Sequence, residues 1–506
     1  MTSLDYNRDY ITHAVILLGS IMKIEAAKIL AVFPTPSISH QIVFRPITQE
    51  LARRGHEVVV ITTDPAFPKG GAPANLTEID VHDISYEHWH LFTNLATGEA
   101  SNLKNQAIVF CSLVANIFEQ QIRVKDIQAI LRDKNEKFDL LLIEEIVRPA
   151  LVLSHVFKVP VITISSLGGA VFNNMNIVGA ESNIFLYPAV LRQKIYNLTI
   201  WEKVKEFYAS FMVNYEYDSE LKNNIDMMFL NTYSIWDNNR PIPPNLIYIG
   251  GIIKKPHKDL PTDLKNYLDS SVNGVIYVSF GTNVNVKLLP ESKIAIMAEV
   301  LSQLPYDVLW KWDDDEPPSK SKNIKTSKWL PQSDLLMHPK VKLFITQGGF
   351  QSTDEAILAG VPLIGVPLLG DQWFNVENYV RLKIGLKLDI ESFTEAQFRN
   401  TVNTVIEDLS YRQNVKKLAS QIHDQPQSAL ERAVWWTEHV LRHGGARHLR
   451  APAANMSLWQ YLEMELVLLA LAFILILSII VAIAAYYLLV LFCKSELFLN
   501  KKSKVN

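Results

Sequence analysis

The chain is poor in cysteine: among 506 residues only Cys111 and Cys493 are present, far apart in the sequence. Two distant cysteines exclude a disulfide framework. The chain also lacks an excess of charge of either sign, because 49 lysines and arginines nearly balance 52 aspartates and glutamates. Without a strongly basic face, nucleic acid is not an expected partner. The length predicts two domains with additional segments.

Charged residues are missing altogether from a segment near the C-terminus, residues 466–493. Because about 20 apolar residues cross the hydrocarbon core of a bilayer, this segment is predicted to form a transmembrane helix. The tail that follows, 494–506, has four lysines and one glutamate, so the positive-inside rule places it in the cytosol. Lys502 and Lys504 match the dilysine pattern that retrieves proteins to the endoplasmic reticulum, although a basic tail is also an ordinary stop-transfer flank.

The other end of the chain, residues 1–27, has the apolar run and the small-residue end of a secretory signal peptide, with the run at Ile11–Met22. Asp5 and Asp9 interrupt the usual positive flank, so a first buried helix is the alternative. Signal and anchor together predict a single-pass type I protein of the endoplasmic reticulum membrane with its bulk in the lumen. Three sequons would then be lumenal glycosylation sites, at Asn75, Asn197 and Asn455.

The first half of the chain opens with a strand–helix–strand pattern, in which Ile29–Phe33 and Glu57–Thr62 are the strands and Gln41–Arg54 is the helix. This order predicts two parallel strands joined by a right-handed crossover. His40 stands in the turn between the first strand and the helix. That turn lies at the carboxyl edge of the sheet, where doubly wound α/β folds bind their ligands. A further apolar strand, Phe138–Ile143, ends in two glutamates at the same edge.

A stretch rich in aromatic residues and methionine, 172–215, follows later in this half. Such a stripe is more often core than pocket, but part of it is interpreted here as the lining of an apolar acceptor site. A charged, proline-containing joint at Lys254–Thr262 marks the predicted boundary with the second half. The bulky side chains of the stretch include Phe172, Met175, Phe185, Tyr187, Tyr196 and Trp201.

The second half contains the most informative stretch, residues 344–372. The strand Val341–Ile345 leads into a glycine pair and then a helical pattern, in which Ser352 and Glu355 have the spacing of a capping box. Backbone N–H groups at such a helix start, together with the helix dipole, favour an anion. Four more residues end this stretch or precede it closely: Trp329, Gln332, Asp371 and Gln372.

This ordered set resembles the signature of the UDP-glycosyltransferases, the family-1 enzymes of GT-B type, and the resemblance extends over nearly the whole chain. It implies an α/β fold of two doubly wound Rossmann-like domains facing a cleft, plus the C-terminal transmembrane helix. Residues 28–253 would bind the acceptor and residues 254–450 the UDP-sugar. The implied partners are a UDP-sugar, as co-substrate, and a small lipophilic acceptor. No metal or other cofactor is expected, and homo- and hetero-oligomers both stay open.

The family resemblance also implies roles for individual residues at the donor. Trp329 would stack on uracil, and Gln332 would contact the nucleoside. Glu355 would bind the ribose hydroxyls. Gly349 and Ser352, at the start of the helix, would hold the diphosphate.

Further donor contacts follow from the same resemblance. Asp371 and Gln372 would hold the sugar hydroxyls, and Gly281 and Thr282, in another strand-to-glycine turn, would lie near the phosphates. Gln347 stands where many members have histidine. Its amide can still donate to a phosphate oxygen, but it cannot carry charge.

Transfer of a sugar to an alcohol needs a base for the acceptor proton, and His40 suits this role because imidazole accepts protons near neutral pH. Family members have a histidine in this turn, and an aspartate after the neighbouring strand orients it; Glu144 occupies that position here. Glu145 and Asp139 are the alternatives. The run Asp313–Asp315 contains the D-x-D pattern that holds a metal in other glycosyltransferases, but its context favours a solvated turn.

The resulting prediction is an inverting UDP-glycosyltransferase of the endoplasmic reticulum that conjugates small lipophilic molecules, as in detoxification. The donor is glucose or glucuronate. Glucose is favoured, because no cationic residue can be assigned to a glucuronate carboxylate. The alternative is a UDP-sugar-binding membrane protein without activity that serves as a partner of active relatives.

Overall fold

The computed structural model describes residues 26–96, 103–169, 175, 178–180, 183–189, 192, 194–216, 220–254, 257–282, 289–454 and 456–502. They belong to two compact units, one ending at Pro452 and the other beginning at Ala453. The predicted signal segment lies outside the described residues apart from its last two positions, and the sequon residue Asn455 lies outside them as well.

Seven parallel strands form the first sheet of the larger unit. They are β1 Lys28–Phe33, β2 Glu57–Thr62, β3 Leu76–Asp80, β4 Leu140–Glu144, β5 Val161–Ser165, β6 Ile225–Leu230 and β7 Leu246–Tyr248. Their order is β3-β2-β1-β4-β5-β6-β7. The central strands β4 and β5 are buried throughout, as expected where helices cover both faces of a parallel sheet. The order reverses between β1 and β4, and ligands of doubly wound sheets bind at such a reversal.

Helices cover both faces of this sheet. They are α1 Ile38–Arg53, α2 His82–Ala96, α3 Leu103–Gln121, α4 Lys125–Arg132, α5 Val152–Phe157 and α6 Ile200–Glu216, with 3₁₀ turns at Arg148–Leu151 and Glu220–Asn224. Val43, Phe44 and Ile47 of α1 pack in the core on one face, and Ile117 and Phe118 of α3 pack in the core on the other.

The sequence stretch 81–116, which shows no clear hydrophobic period, contains α2 and most of α3. Polar residues occupy buried positions in these helices. Ser85 is fully buried and Gln121 is nearly so, and their side chains are hydrogen-bonded to each other at 2.8 Å. Because a polar residue at a buried position breaks the apolar pattern, the helical period is hard to detect there.

Six parallel strands form the second sheet of the same unit. They are β8 Val275–Ser279, β9 Asp307–Lys311, β10 Ile324–Ser327, β11 Val341–Thr346, β12 Leu363–Gly365 and β13 Gly385–Lys387. Their order is β10-β9-β8-β11-β12-β13. The associated helices are α7 Thr262–Ser270, α8 Glu291–Gln303, α9 Gln332–Leu336, α10 Phe350–Ala359, α11 Gln372–Arg381, α12 Glu395–Glu407, α13 Leu409–His423 and α14 Ala429–His443, followed by a 3₁₀ turn at Arg447–Leu449.

The last helix of this series, α14, returns to the first sheet. Its residues Ala433, Val434 and Val440 belong to the core that contains α1. Glu438 of α14 also accepts hydrogen bonds from Arg54 at 3.2 Å. The range 254–450 predicted for the UDP-sugar domain thus includes a helix packed on the first sheet, and the domain boundary stays a prediction.

The smaller unit contains α15 Leu458–Tyr461 and the long helix α16 Met464–Lys502. Within the described residues, α16 is the one helix long and apolar enough to cross a membrane. Its candidate span is Met464–Lys494, with a mean hydropathy of 3.4. The predicted C-terminal apolar helix is confirmed as an element of the fold.

Candidate active site

His40 and Glu144 meet at the carboxyl edge of the first sheet. His40 lies in the first turn of α1, directly after β1, and Glu144 is the last residue of the neighbouring strand β4. Both side chains are buried, and His40 Nδ1 lies 2.7 Å from Glu144 Oε1. Because a carboxylate only accepts, this contact places the ring proton on Nδ1 and leaves the lone pair of Nε2 free to take a proton.

The turn that presents His40 is held from several sides. The N–H of Thr35 donates to Glu144 Oε2 at 3.1 Å, so both oxygens of this carboxylate are engaged. The Gln41 amide donates to the carbonyls of Phe33 and Thr35. The Gln121 amide donates to the carbonyl of Pro34 at 2.8 Å. The sequence gives no signal for these two buried glutamines, because their role depends on contacts between distant elements.

The two alternatives to Glu144 are placed differently. Asp139 lies before the start of β4, and its Oδ2 accepts from the N–H of Lys28, at the first residue of β1. That position is at the opposite end of the strands from His40. Glu145 is buried in the turn that directly follows β4. Of the three carboxylates, the structure therefore brings Glu144 to the histidine.

At the carboxyl edge of the second sheet, the turn after β11 leads into α10. The N-cap residue of α10 is Gly349, and no side chain caps this helix. The predicted capping box is therefore wrong: Ser352 lies inside the first turn rather than before it. The first intrahelical bond runs from Thr353 N to Gly349 O, at 3.0 Å. The N–H groups before it have no intrahelical partner, as at the start of any helix, so the predicted anion site at this turn stays a prediction.

The hydroxyl of Ser352 and the carboxylate of Glu355 take part in a polar network instead. The Gln332 amide donates to Ser352 Oγ at 2.9 Å and to Glu355 Oε2 at 2.7 Å. The hydroxyl of Tyr277 donates to Gln332 Oε1 at 3.0 Å. These contacts hold three predicted donor-binding side chains together: Gln332, Ser352 and Glu355. Close by in the chain, Trp329 is 68% exposed, so its ring is available for stacking.

Gly281 and Gln347 lie against each other. A Cβ at Gly281 would lie 2.2 Å from Gln347 Nε2, a contact that a shift of the glutamine side chain could relieve, but the φ of +74° favours glycine at position 281 in any case. Gln347 is buried, and its Oε1 has no hydrogen-bond partner among the described residues. Lys311 Nζ, which the sequence did not single out, donates to the carbonyl of Gly281 at 3.1 Å. Thr282, the next residue, is exposed.

Asp371 and Gln372 begin α11. Asp371 is its N-cap residue, and its Oδ2 accepts from the Asn375 amide at 2.8 Å. Gln372 Oε1 accepts from the N–H groups of Leu368 and Leu369, both at 2.8 Å, which leaves the amide nitrogen of Gln372 as the free donor of this side chain. Burial raises the pKa of Asp371 to about 6, while the Asn375 hydrogen bond and the charge of His40 act to lower it.

His40 lies close enough to Asp371 for its charge to influence the pKa of that carboxyl group. Direct contacts hold the two halves together nearby. The Gln351 amide of α10 donates to the carbonyl of Ser166, after β5, at 2.8 Å. Trp236 Nε1 lies 3.3 Å from Asn375 Oδ1. The His40–Glu144 pair therefore lies near the start of α11.

Two other kinds of predicted site are the D-x-D run and the glycosylation sequons. Asp313 and Asp315 of the D-x-D run pair with lysines, Lys311 at 2.9 Å and Lys328 at 2.7 Å. The sequon residues Asn75 and Asn197 are exposed.

In the aromatic stretch, Met175 is buried, whereas Trp201 is 76% exposed on α6. The interpretation of part of this stretch as a pocket lining stays a prediction. Phe172 lies outside the described residues.

Comparison with known proteins agrees with this geometry. The chain matches the family model described as UDP-glucoronosyl and UDP-glucosyl transferase over residues 27–504. It is 35% identical over 499 residues to the ecdysteroid UDP-glucosyltransferase of Spodoptera littoralis nuclear polyhedrosis virus, covering 90% of this chain and 96% of that protein. It is 30% identical over 478 residues to human UDP-glucuronosyltransferase 2B17, covering 87% and 89% of the two chains.

Solved structures show the same architecture. The UDP-glucose: anthocyanidin 3-O-glucosyltransferase solved in complex with UDP matches with a TM-score of 0.58 at 18% identity, covering 83% of this chain and 100% of that one. The two parallel sheets, of seven and six strands, thus have the GT-B fold, as predicted. The chain belongs to the UDP-glycosyltransferase family. It is an enzyme that uses a UDP-sugar as donor and transfers the sugar to an acceptor.

Proposed function

We propose that this enzyme transfers glucose from UDP-glucose to a hydroxyl group of a small lipophilic acceptor, with inversion at the anomeric carbon. The observation that carries the proposal is the buried His40–Glu144 pair, 2.7 Å apart, at the carboxyl edge of the first sheet and close to Asp371. An inactive UDP-sugar-binding protein would not need a base with an oriented lone pair at this place.

In the proposed reaction, Nε2 of His40 removes the proton of the acceptor hydroxyl as its oxygen forms a bond to the anomeric carbon. The bond from that carbon to the diphosphate breaks, and UDP leaves with the bonding electrons. Glu144 holds Nδ1 and stabilises the imidazolium that forms. Because a single displacement occurs, with attack opposite the leaving group, the configuration is inverted.

The donor would lie mainly on the second half of the chain. The uracil would stack on Trp329, and Gln332 and Glu355 would bind the nucleoside and its ribose. The diphosphate would face Gly349 and Ser352, where unpaired backbone N–H groups and the helix dipole stabilise the charge that develops as UDP leaves.

The diphosphate would also lie near the second strand-to-glycine turn, at Gly281 and Thr282. Gln347, whose buried amide oxygen has no partner among the described residues, would complete this side by donating from its amide nitrogen to a phosphate oxygen, after a flip of the amide if the geometry requires it. Asp371 and the free amide nitrogen of Gln372 would bind the sugar hydroxyls. None of these contacts requires a metal ion.

The relatives support glucose as the donor sugar. The viral relative at 35% identity is named a UDP-glucosyltransferase, whereas the human relative at 30% identity is named a UDP-glucuronosyltransferase. The viral name also includes ecdysteroid, a lipophilic alcohol, which agrees with a hydroxyl acceptor of this class. We therefore expect conjugation of small apolar alcohols and phenols, a reaction suited to detoxification.

We also propose that the enzyme is anchored in the endoplasmic reticulum membrane by residues 466–493, with its catalytic unit in the lumen. The long apolar helix α16 supports the anchor. In sealed microsomes, a tag added after Asn506 should be open to protease while the rest of the chain is protected. Protection of the tag would show that the orientation is wrong.

The donor is best tested with microsomes containing the full chain, a panel of UDP-sugars and several phenols and alcohols as acceptors. UDP-glucose should give the fastest transfer, and the product should have the β-configuration expected for inversion of an α-linked donor. Faster transfer from UDP-glucuronate would overturn the choice of sugar. Tight UDP-sugar binding without transfer to any acceptor would favour the inactive partner instead.

A further inference from the structure

Helix α6 presents an apolar face that the protein body does not cover. Five large side chains of its first nine residues are exposed, including Ile200 at 80% and Trp201 at 76%. Each residue of a helix turns the direction of the side chain by about 100°, so these five lie within about 120° of one another. We call this surface the α6 apolar face; it consists of Ile200, Trp201, Val204, Phe207 and Tyr208.

The opposite side of α6 is tied to the protein. Glu206 accepts from Arg192 Nε at 3.0 Å, and the buried Arg192 also donates to the carbonyl of Ile184 at 2.9 Å. Glu202 accepts from Lys194 at 2.8 Å. Because ion pairs fix the polar side, the apolar face is held outward and cannot be buried by simple rotation of the helix.

We infer that the α6 apolar face lies in the interfacial layer of the bilayer in which the same chain is anchored. Exposed apolar patches of this kind mark interaction sites on proteins. The candidate membrane span Met464–Lys494 belongs to the same polypeptide, so the globular unit is held near one particular surface. The inference therefore rests on the proposed membrane anchor.

The composition of the helix favours a bilayer as the occupant. Trp201 and Tyr208 are side chains that prefer the boundary between headgroups and acyl chains. The exposed Lys203 and Lys205 stand at the two borders of the apolar arc, where their ammonium groups can reach lipid phosphates while their stems lie along the apolar layer. Interfacial helices of membrane proteins have this arrangement.

The inference can be tested with nitroxide labels on the full chain in vesicles of phosphatidylcholine and phosphatidylserine. The two native cysteines are first removed by Cys111→Ser and Cys493→Ser. A single cysteine is then introduced at one of three positions. Val204→Cys reports the α6 apolar face, Ser478→Cys reports the anchor, and Val272→Cys is the control, an apolar residue 87% exposed elsewhere on the globular unit.

We expect labels at positions 204 and 478 to collide more often with oxygen, which dissolves in lipid, than with a water-soluble nickel chelate. The label at position 272 should show the reverse. With Trp201→Gln and Phe207→Gln added, the label at position 204 should become accessible to the chelate, while position 478 keeps its pattern.

Three results would overturn the inference. If the label at position 204 is accessible to the nickel chelate, as at position 272, while the label at position 478 is in lipid, the proposed membrane anchor is supported but the α6 apolar face is not in the bilayer. Dipolar broadening between labels at position 204 would show that a second copy covers the face. If position 478 is open to the chelate, the proposed anchor itself is wrong and the inference fails with it.

Discussion

His40 Nδ1 lies 2.7 Å from Glu144 Oε1, and the second oxygen of this carboxylate accepts the N–H of Thr35 at 3.1 Å. The carboxylate is thereby fixed to the same turn that carries the histidine. The ring cannot rotate without breaking the pair, so the direction of Nε2 is set by the fold. The pair joins the start of α1 to the end of β4, which lie more than a hundred residues apart in the chain.

Glu144→Gln should lower the rate of transfer by less than the ~10²–10⁴-fold expected for loss of the base itself. The amide oxygen can still accept from Nδ1, but it no longer stabilises a charged imidazolium. Glu144→Asp should retain more activity than Glu144→Gln, because it keeps the charge. The measurement is the transfer rate of wild type and both variants at saturating UDP-glucose. The dissociation constant of UDP is the control and should be the same for all three proteins. Equal activity of wild type and Glu144→Gln would contradict the role.

Glu355→Ala should weaken UDP binding about 10- to 100-fold, because a hydrogen bond to a charged group contributes roughly 1.5–3 kcal/mol. The carboxylate also receives the Gln332 amide at 2.7 Å, so its removal loosens the network around the nucleoside. The matched control is Glu377→Ala, on α11, which breaks an ion pair with Lys387 instead.

Calorimetric titration with UDP and the melting temperature should be measured for both variants. Since Glu355 is not part of a capping box, its loss is not expected to destabilise α10 through the cap. An unchanged affinity for UDP in a stably folded Glu355→Ala variant would refute the assignment.

Binding of UDP-glucose should weaken as the pH falls through about 6, where Asp371 becomes protonated. Burial raises this pKa from an ordinary value of 3.8, so the ionised form, which accepts sugar hydroxyls best, is lost below about pH 6 rather than below about pH 4. Asp371→Asn has no such titration and should bind with little change between about pH 7.5 and about pH 5. Parallel pH profiles for the two proteins would argue that another group is responsible.

Tyr233→Phe should destabilise the protein more at about pH 7.5 than at about pH 5. The Tyr233 hydroxyl donates to Asp354 Oδ1 at 2.6 Å, and burial raises the pKa of Asp354 to about 6. Above this pH the acceptor is charged, and its hydrogen bond contributes roughly 1.5–3 kcal/mol, against about 0.5–1.5 kcal/mol when it is neutral.

The loss of stability is larger at the higher pH because of the direction in which Tyr233 shifts the pKa of Asp354. Because the tyrosine acts to lower the pKa of Asp354, its removal raises that pKa further and penalises the ionised form. The free energy of unfolding, from urea titrations at the two pH values, provides the measurement. A Tyr233→Phe variant that loses more free energy of unfolding at the lower pH would be inconsistent with a charged Asp354 as the acceptor.

The sequence predicts this fold well where apolar strands are followed by distinctive turns. Glu144 ends a buried parallel strand and His40 lies at the start of the helix that follows the neighbouring strand, and parallel strands bring their carboxyl ends to one edge. The order of strands and helices is therefore enough to place these residues near each other. The family resemblance then names the residues of the second half, and the comparisons confirm the family.

The details that the sequence did not predict depend on contacts between distant segments. Ser352 and Glu355 have the spacing of a capping box, but the glycine turn lets the helix begin three residues earlier, so both serve Gln332 instead. The support of the His40 turn by Gln41 and Gln121 could not be predicted, since buried amides leave no periodic signal. The exposure of Trp201 could not be predicted either, because an aromatic residue is equally compatible with core and surface.

The central claim, that His40 is the base, is tested most directly by transfer rates of His40→Ala with two acceptors, an acidic phenol and a simple alcohol. Binding of UDP-glucose should be nearly unchanged, because the donor lies mainly on the second half. The rate should fall on the order of 10²–10⁴-fold for the alcohol and by clearly less for the phenol, which is already partly ionised. Equal losses for both acceptors, together with weaker donor binding, would contradict the account and would show that His40 is a structural residue of its turn.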